Sequence, residues 1–389
     1  MKVVVVAEYY PRASDPVLGV WAHRQAMAAR DAGADVRVLV LHRPIPPKAA
    51  LRERDPAKLL APFRQPRRAE LDGIRVDYVP FLAPPRPRTY ATWGAYAAPS
   101  LRAALARLRR EFRYDLIHAH YAAPAGDAVR RAAPAAPAVI SVHGGDVLAV
   151  ARDSERGRRI VDAALSHARL VLANSAGTAD RCRELGAGAV RVVHLGTDLP
   201  TTPQRRRAGT LITVGHLVAR KRHGDVLRAL WLLREELPDI RYEIVGDGPE
   251  RAPLERLAGE LGLGERIVFR GALSPEEARA AAVRAALFVL PSIDEAFGVA
   301  YIEAMAGGVP AIGSRGEAGP EEIAACGGGI LLVAPGDPEA LADALRGLLE
   351  DGRLREELGH AARQNVEAHF TWERCGAATV AAYEEALRR

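Results

Sequence analysis

In "PSIDEAFGVAYIEAMAGGVP", residues 291–310, Glu295 and Glu303 stand on either side of a Phe-Gly pair. The apolar run "LFVLP" before them reads as a strand ending at Pro291, and the pattern predicts a helix from near Gly298 to the Gly307-Gly308 pair. Glu295 then lies on the loop beside unpaired helix amides, and Glu303 lies in the second helical turn. Two carboxylates at two depths of one cleft can accept hydroxyls from two parts of one ligand. The plain alternative is that Glu295 only favours the helix dipole and Glu303 is a surface residue. The small residues "AMAGG" after Glu303 suit close packing and favour a ligand-facing or paired glutamate.

A complementary cationic loop lies upstream. In "VGHLVARKRHGDVLRAL", residues 214–230, a strand ends in glycine, a basic loop follows, and a helix starts near Gly224-Asp225. Lys221, flanked by Arg220 and Arg222, thereby stands close to a helix N-terminus, which outlines a phosphate site. "YEIVGDGPE" adds a strand and a turn in which Gly246 and Gly248 let backbone approach a ligand closely, a weak signal alone. In the first half, a loop and a helix starting near Gly19 offer amides to an anion, and "SVHGGD" puts His143 at a strand's carboxyl end. Neither half carries G-x-G-x-x-G after a strand, and no Walker-type loop occurs, so hydride chemistry and P-loop phosphoryl transfer do not fit.

The elements that must position these residues alternate along the whole chain. β-branched runs such as "KVVVVAE", "DVRVLVLH", "DLIHAH" and "AVISVH", then "TLITVG", "RYEIVG", "LFVLPS" and "GILLVA", are separated by alanine-rich amphipathic stretches. That alternation predicts an α/β protein with doubly wound parallel sheets. The segment "TDLPTTPQRRRAG", residues 197–209, has the composition of a linker. We therefore expect an N-terminal domain over 1–199, a C-terminal domain over 200–370, and a last helix over 371–389, with Thr371 as N-cap, packing back toward the first domain. Two open parallel sheets would present their strands' carboxyl ends to a shared cleft. Residues 43–72 look too proline-broken for a regular element, and are either a functional insertion or a surface loop.

With 389 residues and a formal net charge of +6, the chain is long enough for two cores. Its arginines bunch in "FRQPRR", "PRPR" and "RLRREFR". Sparse aromatics and the lack of a nucleic-acid motif argue against nucleic acid, and leave anionic substrates or a membrane surface as partners. No stretch has signal-peptide or membrane-spanning character, and three scattered cysteines lack metal-ligand spacing. These features suit a cytoplasmic protein, with possible residence at the inner face of the membrane.

Taken in order, the loop at Gly19, "DLIHAH", "HGGD", "ANS", "VVHLGTDL", "VGHL" with Lys221 beyond His216, "IVGDGP" and "EAFGVAYIEAMAGGVPAI" resemble retaining glycosyltransferases of GT-B architecture, family four. The resemblance implies transfer of a hexose from a UDP- or GDP-sugar to an acceptor hydroxyl in glycan, glycolipid or cell-surface polysaccharide synthesis. It also implies that Glu303 accepts ribose hydroxyls, that Lys221 pairs with the diphosphate, and that Glu295 with the backbone of Phe297, Gly298 and Val299 meets the donor sugar and phosphate. His143 would approach the sugar from the other domain, and Gly19 would let its loop near the diphosphate. No cofactor or metal is expected, because the lysine loop and helix amides neutralise the leaving group. The family usually has arginine where this chain has His216, which passes a diphosphate contact to His216, Arg220 or Arg222. A nucleotide-sugar epimerase on the same fold and a non-catalytic sugar-nucleotide-binding subunit are the alternatives.

Overall fold

A computed structural model describes residues 1–46, 55–201 and 206–389, apart from the side chain of Lys58. These form two compact units, Met1–Leu195 with Trp372–Arg389, and Gly196–Thr371. The first change of unit follows Leu195, four residues before the boundary expected at 199, and residues 202–205 of the expected linker lie outside the described part.

In the first unit, strands β1 (Lys2–Ala7), β2 (Asp35–His42), β3 (Arg68–Leu71), β4 (Ile74–Pro80), β5 (Leu116–His120), β6 (Ala138–Val142), β7 (Leu170–Ala173) and β8 (Val190–Val192) form one sheet. Its order is β3-β4-β2-β1-β5-β6-β7-β8, parallel except for β3. The run "VVVV" in β1 shows why such a strand is apolar on both faces. Val4 and Val6 enter one core while Val3 and Val5 enter another, and all four are fully buried. Each buried valine contributes on the order of 1.5–3 kcal/mol.

The expectation of no regular element in 43–72 is corrected in the described part of that segment. A short helix spans Pro56–Leu60, and β3 pairs antiparallel with β4, Arg68 opposite Asp77. Asp72 and Gly73 join them with φ of 47° and 75°, the positive-φ pair that a two-residue hairpin requires. The prolines lie outside the strand and so do not break it.

The last helix, Trp372–Arg388, belongs to the first unit. Gln25 Nε2 donates to Thr379 Oγ1 at 3.1 Å, and a Cβ on Gly376 would lie 2.2 Å from the Ala28 carbonyl oxygen, so glycine sets the close approach of this helix to Val20–Asp31.

The second unit contains β9 (Thr210–Val214), β10 (Arg241–Val245), β11 (Ile267–Gly271), β12 (Leu287–Leu290), β13 (Ala311–Ser314) and β14 (Ile330–Val333). They form a parallel sheet in the order β11-β10-β9-β12-β13-β14. Strand order reverses between β9 and β12 here, and between β1 and β5 in the first sheet. Open α/β sheets bind ligands at the carboxyl ends of strands flanking such a reversal. The loops after β9 and β12 carry Lys221 and Glu295.

Candidate active site

In the second unit, a single turn Ala219–Lys221 follows β9, and Arg222 at φ 53° hands the chain into helix His223–Leu232. The Lys221 side chain is thereby turned inward and buried. Its Nζ lies 2.5 Å from Glu295 Oε2, so the cation and the carboxylate treated separately above form one ion pair. Ser292 Oγ donates to the same oxygen at 2.9 Å, and Glu317 Oε2 accepts the Glu295 amide at 2.9 Å. Ile293 N bonds to the Arg220 carbonyl at 2.8 Å, tying the two loops together. Burial acts to raise the Glu295 pKa, but Lys221, Arg220 and Ser292 outweigh it and hold the carboxyl below its ordinary value.

Gly298 then opens helix Val299–Ala306 at φ 86°, and a Cβ there would lie 2.4 Å from the Tyr301 ring. Tyr301 donates its hydroxyl to the Leu290 carbonyl, which fixes the helix to the end of β12. The Phe297 side chain is 2% exposed and meets Phe370 at 5.7 Å, so it serves the core and only its backbone stands at the helix entrance. The Val299 and Ala300 amides fall in the first turn, where no preceding carbonyl can take them.

Glu303 lies one turn further along this helix and behaves differently. Its nearest cation is Arg279, 3.8 Å away, and 22% of its side chain remains accessible. Surrounding protein nevertheless desolvates it, and with Asp198 adding repulsion against the weaker pull of Arg279 its pKa is pushed up to about 7.

The two turn glycines have a nearer partner than a ligand. A Cβ on Gly246 would lie 2.0 Å from the Gly215 carbonyl oxygen, and one on Gly248 would lie 2.3 Å from that of Leu217. They let the loop after β10 pack against the loop after β9, which shapes the approach to Lys221. His216 is exposed on that loop, Arg220 is exposed 3.8 Å from Glu295, and Arg222 is committed to Asp225 at 2.5 Å. A cavity of about 420 Å³ beside Arg222, His223 and Leu254 includes none of Lys221, Glu295 and Glu303.

In the first unit, His143 stands just after β6. Its Nε2 lies 2.9 Å from His120 Nδ1, with the rings stacked at 5.2 Å. His120 in turn lies 4.5 Å from the ring of His118, which bonds Tyr383 of the last helix and Ser141, each at 2.7 Å. Burial holds His143 and His118 down at about 3 and His120 well below its ordinary value, so the row is neutral. Tyr121 at 5.0 Å and Trp21 at 6.2 Å flank His143, and Tyr9 lies 5.2 Å from the Tyr121 ring. Buried Trp21 Nε1 and His143 Nδ1 have no hydrogen-bond partner among the described residues, leaving polar atoms in an aromatic setting at the β1–β5 reversal. Gly19, at φ 64°, is where Val20–Asp31 presses on the chain after β1, since a Cβ would lie 2.2 Å from the Tyr9 carbonyl carbon.

Among the expected residues, the structure therefore brings together Lys221, Arg220, Glu295, Phe297, Gly298, Val299 and Glu303 around one loop pair and helix start in the second unit. His143 and Gly19 lie in the other unit. Unanticipated participants are Ser292, Glu317, Arg279, His118, His120, Tyr383 and the aromatic residues around His143. Only the two-residue spacing in "HAH" signalled that two histidines share a strand face.

Two Rossmann-like domains, each built on an open, mostly parallel sheet, are the components of the GT-B fold. Solved structures agree on the fold. Sucrose-phosphate synthase from Thermosynechococcus elongatus superposes with a TM-score of 0.77 at 22% identity, covering 100% of both chains. Anabaena Alr3699/HepE in complex with UDP gives 0.71 at 20% identity, covering 99% of this chain and 100% of that one. The profile described as "Glycosyltransferase Family 4" matches residues 18–201, and that described as "Glycosyl transferases group 1" matches residues 202–365. The chain belongs to this group 1 family of GT-B glycosyltransferases.

Among curated relatives, the MMP alpha-(1->4)-mannosyltransferase of Mycolicibacterium hassiacum is 33% identical over 203 residues, 51% of this chain and 49% of that protein. The GDP-mannose-dependent alpha-(1-6)-phosphatidylinositol monomannoside mannosyltransferase of Mycolicibacterium smegmatis is 33% identical over 174 residues, 43% and 45%. The match thus spans about half the length of these curated relatives. Among the described residues, no helix is long and apolar enough to cross a membrane.

Proposed function

We propose that this chain transfers a hexose from a UDP- or GDP-sugar to an acceptor hydroxyl, with retention of anomeric configuration. The observation that carries this reading is the buried Lys221–Glu295 pair beside the Gly298 helix start, with partly accessible Glu303 one turn further on. Lys221, with Arg220 and the first helix amides, takes the diphosphate, and the Glu303 carboxylate accepts ribose hydroxyls. Glu295 orients Lys221 and the sugar. Its pairing with Lys221 and Ser292 makes it a positioning group rather than a covalent nucleophile. The leaving phosphate oxygen takes the acceptor proton, and neutral His143 offers a hydrogen bond to the sugar.

In this reading the second unit holds the donor and the first holds the acceptor, without a metal. Named relatives that use GDP-mannose or bind UDP support a nucleotide-sugar donor. The acceptor is a glycan or lipid-linked sugar, used in the cytoplasm at the inner membrane face. Phe63 at 64% and Leu82 at 70% exposure, each in an arginine-rich stretch, support contact with anionic lipid.

A thermal-shift series with UDP, GDP, ADP and their sugars tests the donor site, since a ligand that binds only the folded state raises the melting temperature. The expected result is a shift with one nucleotide diphosphate, unchanged by EDTA and lost in Glu303→Ala. No shift with any of them overturns the reading. The anomeric proton of the product, followed by NMR, distinguishes retention from inversion. Cosedimentation with vesicles that is independent of anionic lipid would remove the membrane contact.

A further inference from the structure

Three arginines and a single paired carboxylate cluster at the carboxyl ends of β1 and β2, two of the arginines on the carboxylate and the third joined through an aromatic ring. Glu8, 5% exposed, follows β1, and Arg86 Nη2 donates to both its oxygens at 2.9 Å. Arg12 Nη2 lies 3.8 Å from the same Oε1. Arg86 also covers the Tyr90 ring at 4.1 Å and the Trp93 ring at 4.9 Å, and Arg43, just after β2, lies 4.9 Å from the same Trp93 ring. Glu8 thus links Arg12 to Arg86, and Trp93 links Arg86 to Arg43.

The charges do not balance. Among the described residues, Glu8 is the one carboxylate within ion-pair distance of any of these three arginines. Arg12 rests on the Glu8 and Leu41 carbonyls, and its buried Nε has no partner. Arg43 donates Nε to the Ala83 carbonyl at 2.8 Å, and its terminal nitrogens have no partner among the described residues. Burial lowers the pKa of both Arg12 and Arg43; at Arg12 Glu8 opposes it, Arg86 adds repulsion, and Tyr78 and Asp15 pull weakly the other way, while at Arg43 Arg86 adds to burial. Burial and Arg86 both disfavour their charge, and a bound anion would relieve the repulsion.

We propose that Arg12, Arg43 and Arg86 bind the phosphate monoester of a phosphorylated acceptor. The assignment of an acceptor rests on the reading of the first unit given above. The surplus of two positive charges matches the near-dianion that a phosphate monoester carries at neutral pH, whereas a phosphodiester or carboxylate supplies only one charge. Guanidinium forks suit phosphate oxygens, and the site lies at the strand ends beside the β1–β5 reversal, where such sheets take ligands.

The test uses the full chain with glucose 6-phosphate, inorganic phosphate, glucose, glycerophosphocholine and glucuronate as probes, by calorimetry and thermal shift, with and without excess UDP or GDP. The expected result is saturable binding of glucose 6-phosphate that persists under excess nucleotide. It should weaken about tenfold or more in Arg43→Ala and in Arg12→Lys, and exceed binding of the diester, the carboxylate and glucose. Arg43→Ala alters a half-buried side chain, and its melting temperature without ligand checks that it folds. Unchanged affinity in both arginine variants, abolition by nucleotide, or equal binding of glucose or the diester would overturn the proposal. If no nucleotide shifts the melting temperature while arginine-dependent phosphate binding remains, the donor reading falls and the phosphate site stands.

Discussion

The two units solve the same placement problem with opposite chemistry. At the reversal of the second sheet, the candidate side chains meet as ion pairs, Lys221 tightly with Glu295 and Arg279 loosely with Glu303. At that of the first, the side chains around His143 are neutral rings, His118, His120, Tyr121 and Trp21. A diphosphate needs fixed cations whose positions do not relax when water leaves, and a buried pair supplies one. An uncharged sugar needs hydrogen-bonding atoms on a rigid apolar surface, which neutral rings provide. The second unit even contains its own contrast, because Glu295 is held below the ordinary carboxylate value while Glu303, on the helix that follows it, rises to about 7. Distance to a lysine decides between them.

Removing that lysine should break the comparison most severely. Lys221→Ala leaves the Glu295 carboxylate buried without its partner, and we expect a loss of about 3–5 kcal/mol in urea unfolding along with nucleotide binding. Adding Glu295→Gln should recover part of the stability but none of the binding. A double-mutant cycle that shows no coupling would remove the ion pair from the account. Glu303→Gln should do the reverse, weakening nucleotide binding by about 1.5–3 kcal/mol, or ten- to over a hundredfold, while stability at and above pH 7 rises because the desolvated carboxyl no longer has to ionise in the folded chain. Because ionised Glu303 is the stronger acceptor, nucleotide affinity should rise as pH passes upward through about 7, and this dependence should flatten in the variant. Calorimetry between pH 6 and 8 checks both.

Much of this arrangement was legible in single stretches of sequence. The run "VVVV", the alternation of strands with alanine-rich segments, the basic loop after "TLITVG" and Gly298 before the glutamate helix announced two wound sheets and the loops that bear Lys221 and Glu295. Their ion pair was not legible, because it joins side chains 74 positions apart whose meeting depends on the order β9-β12 within the sheet. The same holds for His118 and Tyr383, 265 positions apart. The hairpin at Asp72-Gly73 was written in the sequence, but the prolines around it obscured a strand of only four residues. Local chemistry shows in local sequence, and pairings set by topology do not.

Acidification should separate the units by a smaller margin. His118 and His143, held at about 3, resist a proton that the unfolded chain accepts near pH 6.5, so their contribution is full above that pH and fades as pH falls toward 3. Asp146, raised by burial to about 6, offsets part of this in the first unit. In the second unit, Glu303 works in the opposite sense, contributing most below its ordinary value of 4.5 and losing that contribution as pH rises through about 7. There it counters His223, which is lowered to about 4. Between pH 7 and 5 the first unit should therefore lose protection while the second changes little. Hydrogen exchange corrected for intrinsic pH dependence, read on β5, β6 and the last helix against β9 and β12, measures this. Equal loss in both units would contradict it.

The smallest effect concerns the residue at which the chain departs from its family. His216 is exposed on the loop that leads to Lys221, and Arg222 is already engaged with Asp225, so in the proposed reading the phosphate partners in the second unit are Lys221 and solvent-facing Arg220. An arginine at 216 adds a permanent charge and a fork of donors at the rim. His216→Arg should leave the melting temperature without ligand unchanged, because the side chain is exposed. It should tighten nucleotide diphosphate binding by about 0.5–1.5 kcal/mol, roughly twofold to tenfold, and leave nucleoside binding unaffected. Equal tightening of nucleoside and nucleotide would place position 216 away from the phosphates and assign their neutralisation to Lys221 and the helix amides.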